Sequence, residues 1–533
     1  MATVRASARP QLESLNPTTG ELVGVVPRAD AESVQLAVDD AGAVHPFWAQ
    51  LSLADRARYM RRAAQVVIDR TRELGELIAR EGGRPIAEAQ SLELLPTVDA
   101  LHWIADCGPS LLRDERIGTR QLWLLGKRHR HVREPLGVVG VISSSRSAWL
   151  GPFLQTAIAL MAGNGVVLKP APRAALVGGR VERAFVRAGV PEGLIGVVHG
   201  GDEAGAALAE ASGVARIFFT GSPRAGSRVE AACSRRGRRT VLELGGKDPQ
   251  LVLADARIDR AVAGALWGAF ANAGQSRSSI ERVYVAREVA DPFLNGLVRG
   301  ARALRIGDPV APDTEVGPLL SAERLERVCE VVDEAVAGGA TLRCGGPVEI
   351  EGLRHAPFFA PAVLTGVEPG MRVAGEPVSG PVVCVTTVDS EEEAIALAND
   401  SRYGLGASVW TRDRARGERI ARRLEAGMVW VNDHRYSHGA VQCAWGGTKG
   451  SGAGRFHGEP GFRECTETKL VGSDAAPFDR PWWPPRVKSL PAAAEATARI
   501  VYGRDRDRVP ALRAGARPLA RAGGRILREL IRR

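Results

Sequence analysis

Short apolar runs alternate with helix-like segments from about residue 136 onward, and this alternation limits the folds open to the chain. Nearly continuous apolar residues, typical of strands buried on both faces, make up the runs LGVVGVIS, GVVLKP, IGVVHG and RIFFTG. Helical spacing of apolar residues is found in LQTAIALMAG, LVGGRVERAFVRAG and EAGAALAEAS. The pattern predicts an α/β domain in which helices cover both faces of a parallel sheet.

A second series of the same kind follows the run TVLELGG. Its helix-like segments are RIDRAVAGALWGAFANAG, ERLERVCEVVDEAVAGG and EEEAIALAND, and its strand-like runs are ERVYVA and GMVWVN. The chain has 533 residues, and one domain takes roughly 100–200 residues. We therefore expect a second α/β domain after the first.

The positive charge of the chain is concentrated at its C-terminus. Residues 471–533 hold 14 Arg and Lys against 6 Asp and Glu, so they carry +8 of the formal net charge of +10. They are also rich in proline, which predicts a basic Pro/Arg-rich C-terminal extension. The near-neutral remainder does not indicate a polyanionic ligand, and we expect no nucleic-acid partner.

The cysteines and the N-terminal residues indicate in which cellular compartment the protein is expected. Seven Cys are scattered without a CxxC pair, and no Cys–His cluster has the spacing of a metal site. These features predict a reduced, cytoplasmic protein without a metal. The opening MATVRASARP has no apolar stretch behind it, unlike a secretory signal. The uncharged segment Ser147–Leu168 is long enough to cross a bilayer, but its Pro, Gln and Asn predict a buried helix and a buried strand.

Two features at predicted strand ends could contact a phosphate-containing ligand. FFTGSPRAG places Gly221, Ser222 and Gly226 between a strand and a helix, where backbone N–H groups can face a phosphate. An ordinary tight turn has the same pattern. Lys169 ends a strand in GNGVVLKP, at the edge where open α/β sheets bind ligands. A solvated surface lysine is the alternative, although Lys is rare in this chain.

Glu243 lies between two leucines in LELGGK, at the end of a predicted strand. A carboxylate in an apolar strand is costly to bury without a partner. Glu243 is therefore either a general base or one half of a salt bridge, and the local sequence leaves both readings open.

The order of motifs along the chain resembles the aldehyde dehydrogenase superfamily. The matching stretches are GVVGVIS, GNGVVLKP, FFTGSPRAG, LELGGKDP, FANAGQ, SGPVVCV, NDSRYGLGASVWTRD, GMVWVN and GGTKGSGAGR. The resemblance runs from about residue 15 to 470. It implies an α/β, aldehyde-dehydrogenase-like fold, with a Rossmann-type NAD(P)-binding domain, an α/β catalytic domain and a β-arm for oligomerisation.

The same resemblance implies the domain limits and the assembly. We expect an NAD(P)-binding domain at residues 1–244, with part of the oligomerisation arm at about 118–135. A catalytic-type domain at 245–431 and a return segment with the rest of the arm at 432–470 follow. The arm predicts a homo-oligomer, either dimer or tetramer, or a hetero-oligomer with an active paralogue.

The catalytic positions of that family are mostly changed in this chain. In the family a Cys thiolate attacks the aldehyde, and a Glu activates the water that releases the acid. The resemblance places Glu243 at the position of that general base. Arg277 stands at the position of the nucleophile, and Arg146 at that of the Asn that stabilises the oxyanion. A guanidinium is always protonated and cannot attack a carbonyl.

The cofactor positions are split between retained and lost residues. Family positions that contact NAD or NADP are matched by Lys169, Gly221, Ser222, Gly226 and Gly245. Residues that hold the riboses in the family are replaced by Pro172, Pro377 and Ser379. The resemblance therefore implies that NAD or NADP can still bind, with weakened affinity, and it implies no metal.

These departures predict a family member that is catalytically impaired or inactive and acts as a non-catalytic subunit or partner. Two alternatives stay open: a weak or atypical aldehyde oxidoreductase using Glu243, and a sensor that binds a nucleotide or an acidic metabolite. In the former aldehyde pocket we expect Glu243 to neutralise one Arg and plug the pocket. The competing hypothesis is an anion site formed by an uncompensated Arg.

The C-terminal extension has two readings. We expect it to pack on a neighbouring subunit through Trp482 and Trp483. Alternatively, its last segment RILRELIRR forms a basic amphipathic helix that contacts a membrane surface.

Overall fold

The computed structural model describes residues 10–121, 124, 126–475, 480, 482–484, 486 and 488–531, with side chains as far as residue 524. These residues form two compact units. The larger unit takes in the described residues up to Arg113 together with Arg133–Glu467. The smaller unit takes in Asp114–Val132 and the described residues from Thr468 onward. No helix within the described ranges is long and apolar enough to cross a membrane.

The larger unit opens with a strand pair and a group of helices. The antiparallel pair consists of β1 (Gln11–Leu15) and β2 (Leu22–Pro27). The helices are α1 (Ala31–Ala49), α2 (Leu53–Asp69), α3 (Thr71–Gly82), α4 (Ile86–Glu88), a π-helical turn (Ala89–Leu94) and α5 (Leu95–Leu111). Two strands come next along the chain, β3 (Glu115–Ile117) and β4 (Lys127–Pro135).

The first predicted α/β series folds into a twisted parallel sheet. Its strands are β5 (Val138–Ile142), β6 (Gly165–Lys169), β7 (Ile195–Val197), β8 (Val214–Thr220) and β9 (Arg239–Glu243), in the order β9-β8-β5-β6-β7. The intervening helices are α6 (Leu150–Met161), α7 (Ala175–Arg187), α8 (Asp202–Glu210) and α9 (Pro223–Ser234). Both α6 and β6 are buried, which confirms the prediction for the uncharged segment.

The second series forms a sheet of seven strands. They are β10 (Asp248–Val252), β11 (Ile280–Ala286), β12 (Thr341–Pro347), β13 (Phe359–Thr365), β14 (Val382–Val388), β16 (Gly406–Trp410) and β17 (Met428–Val431). The order is β12-β13-β14-β11-β10-β16-β17, in which β12 and β13 are antiparallel and the other pairs parallel. A separate pair is formed by β15 (Tyr403–Gly404) and β18 (Thr448–Lys449).

Helices accompany this second sheet as well. They are α10 (Ile258–Phe270), α11 (Ala290–Ala303), α12 (Ala322–Ala337), α13 (Arg372–Gly375), α14 (Glu391–Asn399), α15 (Arg414–Ala421) and α16 (Gly458–Glu464). The two sheets with their helices confirm the predicted α/β fold class.

A short strand ties the end of the larger unit to its first sheet. This strand, β19 (Gly452–Ala453), pairs antiparallel with β9 and places Gly452 opposite Glu243. A Cβ at Gly452 would lie 2.0 Å from the carbonyl oxygen of Leu242, and its φ is 124°. Only glycine meets both conditions, so this close approach fixes the backbone that carries Glu243.

The smaller unit combines a sheet with two helices. The sheet has the order β20-β4-β3, where β20 is Thr466–Asp474. The helices are α17 (Leu490–Tyr502) and α18 (Asp505–Ile531), which pack on each other. Arg480 lies over the ring of Trp482, and Trp483 is 46% exposed. The domain limits inferred from the sequence, and the packing of this unit on a neighbouring subunit, stay predictions.

Candidate functional site

The segment before β11 makes a tight left-handed turn. Asn272 and Ala273 have φ of 55° and 52°, which is uncommon for residues with a side chain and often marks a functional loop. A Cβ at Gly274 would lie 2.1 Å from the carbonyl oxygen of Gly380, so glycine is required there. Gln275 fastens the end of the turn with hydrogen bonds to three backbone groups. The turn thereby fixes the direction of the residues that follow.

Arg277 follows this turn, and every nitrogen of its guanidinium lies within 3 Å of a protein oxygen. Nε and Nη2 lie 2.9 and 2.7 Å from Oε1 of Glu243. Nη1 donates to Oγ of Ser144 at 2.6 Å. Arg277 and Glu243 are both buried, so the expectation that Glu243 neutralises one Arg is confirmed.

Glu243 ends β9, and its Oε1 also accepts a hydrogen bond from Nε1 of Trp445 at 3.0 Å. Oε1 therefore accepts two hydrogen bonds, one from Nε of Arg277 and one from Nε1 of Trp445, and Nη2 of Arg277 adds an ion-pair contact at 2.7 Å. Charge-assisted hydrogen bonds of this kind hold both side chains in one arrangement.

Arg146 lies in a 3-10 turn (Ser145–Ser147) after β5, and it has no such carboxylate partner. Its Nη2 donates to Oγ of Ser379 at 2.5 Å. Ser379 itself has φ of 58°. No carboxylate oxygen of the described residues lies within 4.0 Å of the Arg146 guanidinium. Burial, together with the nearby cations Arg324 and Arg277, lowers the pKa of Arg146 to about 9.

Two further arginines of the site were missed by the sequence analysis, and Arg84 is the first. Its guanidinium lies 3.3 Å from Glu93 and 3.6 Å from Glu88, and its Nη2 donates to the carbonyl oxygen of Arg146. Glu93 lies on the π-helical turn and also accepts the N–H of Leu150 at the start of α6. Arg84 is therefore a neutralised cation with a structural role.

The second missed residue is Arg435, which follows β17. Its backbone is left-handed, with φ of 47°, and its guanidinium lies 4.5 Å from the centroid of the Trp267 ring. Burial lowers the pKa of Arg435 to about 10. One signal could have found it, since it follows a strand at the sheet edge where α/β proteins bind ligands.

The four arginines and Glu243 line one cavity of about 280 Å³. Its apolar wall includes Leu92, Pro96, Trp267 and Trp445. The structure thus brings together the three predicted catalytic-position residues, Glu243, Arg277 and Arg146. No cysteine of the described chain lines the cavity, although all seven are described.

The imidazoles and hydroxyls near the cavity are poorly suited to catalysis. Burial lowers the pKa of His434 to about 3, and it lowers that of His438 well below the usual value, with His457 as a second cause. Both rings are therefore neutral at pH 7. Oγ of Ser276 and Oγ of Ser278 lie 3.4 Å apart. Within the described structure neither hydroxyl has a hydrogen bond to an imidazole or a carboxylate.

The five residues expected at a cofactor site lie at or just beyond strand ends of the first sheet. Lys169 ends β6, where burial lowers its pKa and Asp202 counteracts this. Ser222 caps α9 by accepting the N–H of Ala225 at 3.2 Å. Of the remaining three, Gly221 and Gly245 lie just after β8 and β9, and Gly226 lies in the first turn of α9.

Close contacts at two of these glycines, and the prolines that replace family residues, describe the surroundings of the expected cofactor site. A Cβ at Gly226 would lie 2.5 Å from Cδ2 of Leu244, so α9 packs closely there. A Cβ at Gly245 would lie 4.0 Å from Pro377. Pro172 begins a 3-10 turn (Pro172–Ala174) after β6. In the described residues no group of three His, Cys, Asp or Glu could hold a metal ion.

Comparisons with known proteins agree on one family. The model described as "Aldehyde dehydrogenase family" matches residues 4–471. The chain is 34% identical over 484 residues to betaine aldehyde dehydrogenase 1 of Rhizobium meliloti, covering 90% of this chain and 97% of that protein. It is 35% identical to a betaine aldehyde dehydrogenase of Cereibacter sphaeroides, covering 87% and 94%.

Solved structures give the same result. An NAD-dependent aldehyde dehydrogenase from Sinorhizobium meliloti has a TM-score of 0.84 at 32% identity, covering 89% of this chain and 93% of that one. The NAD⁺ complex of an aldehyde dehydrogenase from Bacillus cereus has a TM-score of 0.83 at 32% identity, covering 87% and 93%.

Proposed function

Because the chain belongs to the aldehyde dehydrogenase family, we propose that it is a member that keeps the fold and no longer oxidises aldehydes. In this proposal it acts as a non-catalytic subunit, or as a partner of an active paralogue. The observation that carries the proposal is the ion pair between Arg277 and Glu243. The motif assigns these two positions to the nucleophile and the general base.

The proposal is supported by the lack of a usable nucleophile among the described residues. No cysteine lines the cavity, and burial raises the pKa of Cys384 to about 11, which disfavours its thiolate. Ser276 and Ser278 have no base in hydrogen-bond contact, which a serine nucleophile needs. The described cavity therefore offers no activated nucleophile to form a covalent adduct with the aldehyde carbon.

The alternative of a weak oxidoreductase using Glu243 is less favoured. A general base must offer an oxygen to the proton that it takes. Oε1 of Glu243 already accepts hydrogen bonds from Arg277 and Trp445 and is ion-paired with Nη2 of Arg277, so this carboxylate is better suited to holding a guanidinium than to activating water.

The charge of the cavity also argues against the substrate named for the relatives. Betaine aldehyde carries a quaternary ammonium, which proteins recognise with aromatic faces and negative charge. Four arginines and two glutamates line this cavity, so a cation is repelled. The face of Trp267 is already taken by the Arg435 guanidinium.

For the cofactor, we propose that NAD or NADP binds weakly. Lys169 and Ser222 lie at strand and helix ends suited to a dinucleotide, and relatives of known structure include an NAD⁺ complex. The family's ribose contacts are replaced by Pro172, Pro377 and Ser379, of which Ser379 is bonded to Arg146. Binding without those contacts loses hydrogen bonds to charged groups.

For the assembly, we propose a homo-oligomer or a hetero-oligomer with an active paralogue. The arm that the family resemblance assigns to subunit contact, at about 118–135 and within 432–470, includes β4 and the start of β20, which are neighbours in the sheet β20-β4-β3. Seven free cysteines fit a reducing, cytoplasmic compartment.

The test is an aldehyde panel, including betaine aldehyde, assayed with NAD and with NADP on the purified protein. We expect no reduced cofactor above the level of two controls, Glu243→Gln and the double variant Glu243→Gln/Arg277→Met. The double variant removes one positive and one negative charge and so leaves the net charge of the pocket unchanged. Turnover by the wild-type protein that both controls lose would establish the weak oxidoreductase instead.

A further inference from the structure

The charges around the cavity do not balance. Arg84 is paired with Glu93 and Glu88, and Arg277 is paired with Glu243. The cavity also contains the guanidiniums of Arg146 and Arg435, and neither lies within 4.0 Å of a carboxylate oxygen of the described residues. Four arginines thus face the three carboxylates of Glu88, Glu93 and Glu243, which leaves one surplus positive charge. Buried cations are normally paired, so the cavity calls for one anion.

Of the two unpaired arginines, Arg435 has fewer contacts with protein acceptors. Its residue exposure is 8%, yet its guanidinium makes no hydrogen bond to any described protein acceptor. It is held by its contact with the ring of Trp267 and by a left-handed backbone at φ of 47°. Glu88 and Glu93 attract it from beyond ion-pair distance. A strained backbone that aims open donors into a cavity is typical of a ligand contact.

Arg146 supplies a second set of donors. Only its Nη2 is engaged by a side chain, the hydroxyl of Ser379 at 2.5 Å. A guanidinium has five N–H donors in a planar fork, so Nε and Nη1 of Arg146 remain available. Its location in the turn after β5 places these donors at the same cavity as Arg435.

The apolar lining of the cavity indicates what kind of molecule carries the negative charge. Leu92, Pro96, Trp267 and Trp445 give the cavity an apolar and aromatic surface. Its volume of about 280 Å³ is just below the ~300–1,000 Å³ of pockets for drug-sized ligands. A ligand that fits must be small, with one anionic group and an apolar body.

We propose that this cavity binds a small organic carboxylate with an apolar body, with Arg435 as the main contact and Arg146 as the second. This inference rests on the proposed function, because a pocket that no longer processes aldehydes is free to serve another ligand. A carboxylate is favoured over a phosphate because two guanidinium forks match its planar geometry, and because a dianion costs more to remove from water.

The inference is tested by calorimetry on the full-length protein at fixed ionic strength, without nucleotide or aldehyde. The probes are phenylacetate, its neutral isostere phenylacetamide, acetate and inorganic phosphate. We expect phenylacetate to bind at least tenfold more tightly than each of the other three. Equal binding of phenylacetate and phenylacetamide, or no binding of either, overturns the proposal. Tighter binding of phosphate overturns the choice of a carboxylate.

Three variants assign the binding to the cavity. Arg435→Gln and Arg146→Gln should each weaken phenylacetate binding at least tenfold, whereas Arg414→Gln should not change it, since Arg414 is 85% exposed on α15. Unchanged affinity in both cavity variants overturns the assignment.

A second readout separates ligand binding from a structural role. An unpaired buried cation destabilises the empty protein, so Arg435→Gln should raise the melting temperature without ligand and abolish the rise that phenylacetate gives the wild-type protein. A lower melting temperature together with a retained phenylacetate response would mean that Arg435 is structural.

The inference and the proposed function can fail separately. Aldehyde turnover together with phenylacetate binding removes the non-catalytic proposal and leaves the anion site standing. No turnover together with no phenylacetate binding removes the anion site and leaves the non-catalytic proposal standing.

Discussion

Arg277 forms an ion pair with one carboxylate oxygen of Glu243, to which its Nε donates at 2.9 Å and from which its Nη2 lies 2.7 Å, although 34 residues separate Arg277 and Glu243 in the sequence. Each side chain is 6% exposed. Removing one partner of such a pair leaves the other charge buried without compensation, at a cost of ~3–5 kcal/mol. The pair therefore contributes to stability in a place where the family motif expects catalysis.

The first prediction concerns this pair. Glu243→Gln should destabilise the larger unit by about 3–5 kcal/mol, because it leaves the Arg277 guanidinium buried and unbalanced. The measurement is the midpoint of urea unfolding followed by tryptophan fluorescence. Glu243→Gln/Arg277→Met should recover most of the loss, since it removes both charges. A double variant as unstable as the single one would show that the cost lies in packing around Trp445.

The second prediction concerns acid stability. The pKa of an unfolded imidazole is about 6.5, and burial lowers that of His434 to about 3. Between these values the unfolded chain binds a proton that the folded chain does not, so stability falls as the pH drops below about 6.5. Each such histidine contributes up to ~1.4 kcal/mol per pH unit. Melting temperatures measured from pH 7 to pH 5 should therefore fall.

A matched pair of variants isolates this effect. His434→Gln keeps an N–H donor for the carbonyl oxygen of Ser278 and removes the titrating imidazole. Its melting temperature should therefore fall less between pH 7 and pH 5 than that of the wild-type protein. His355→Gln is the control, because His355 is exposed. The raised pKa of buried Asp248 acts in the opposite sense, but it is common to all three proteins. The same decrease of melting temperature with pH in His434→Gln and in the wild-type protein would contradict the prediction.

Much of the fold could be predicted because it follows from local pattern. Nearly continuous apolar runs specify strands such as β6 whatever lies around them, and α6 was recognised as buried because it carries no charge. The pairing of Arg277 with Glu243 was predictable only through the family motif, which brings two distant segments to one pocket.

The two arginines that the sequence analysis missed could not be found in that way. In a chain with 71 basic residues, the residue type alone does not single out an Arg, and only the position of Arg435 after β17 gives a signal. The cavity position of Arg84 depends on Glu93, which lies on the π-helical turn. That of Arg435 depends on a left-handed backbone and on the Trp267 ring, both set by tertiary contacts.

The third prediction concerns NAD binding at the strand ends of the first sheet. Pro172→Glu should tighten NAD binding about tenfold or more, because a hydrogen bond to a charged group contributes ~1.5–3 kcal/mol. Pro172 is only partly buried, so the new carboxylate can reach a ribose at the end of β6. Calorimetric titration with NAD measures the change, and Pro369→Glu, at an exposed proline, is the control. Equal affinities in all three proteins would mean that NAD does not bind at this edge.

The last prediction is that Arg277→Cys alone does not restore aldehyde oxidation. The new thiol would face Glu243 without its guanidinium partner, and a nearby carboxylate disfavours the thiolate that must attack. Arg146 would still stand at the oxyanion position, bonded to Ser379. Formation of NADH with the aldehyde panel should stay at the wild-type level, and Arg277→Cys/Arg146→Asn should exceed the single variant. If the single variant turns over aldehydes and iodoacetamide abolishes that activity, the remaining pocket residues do not limit the reaction.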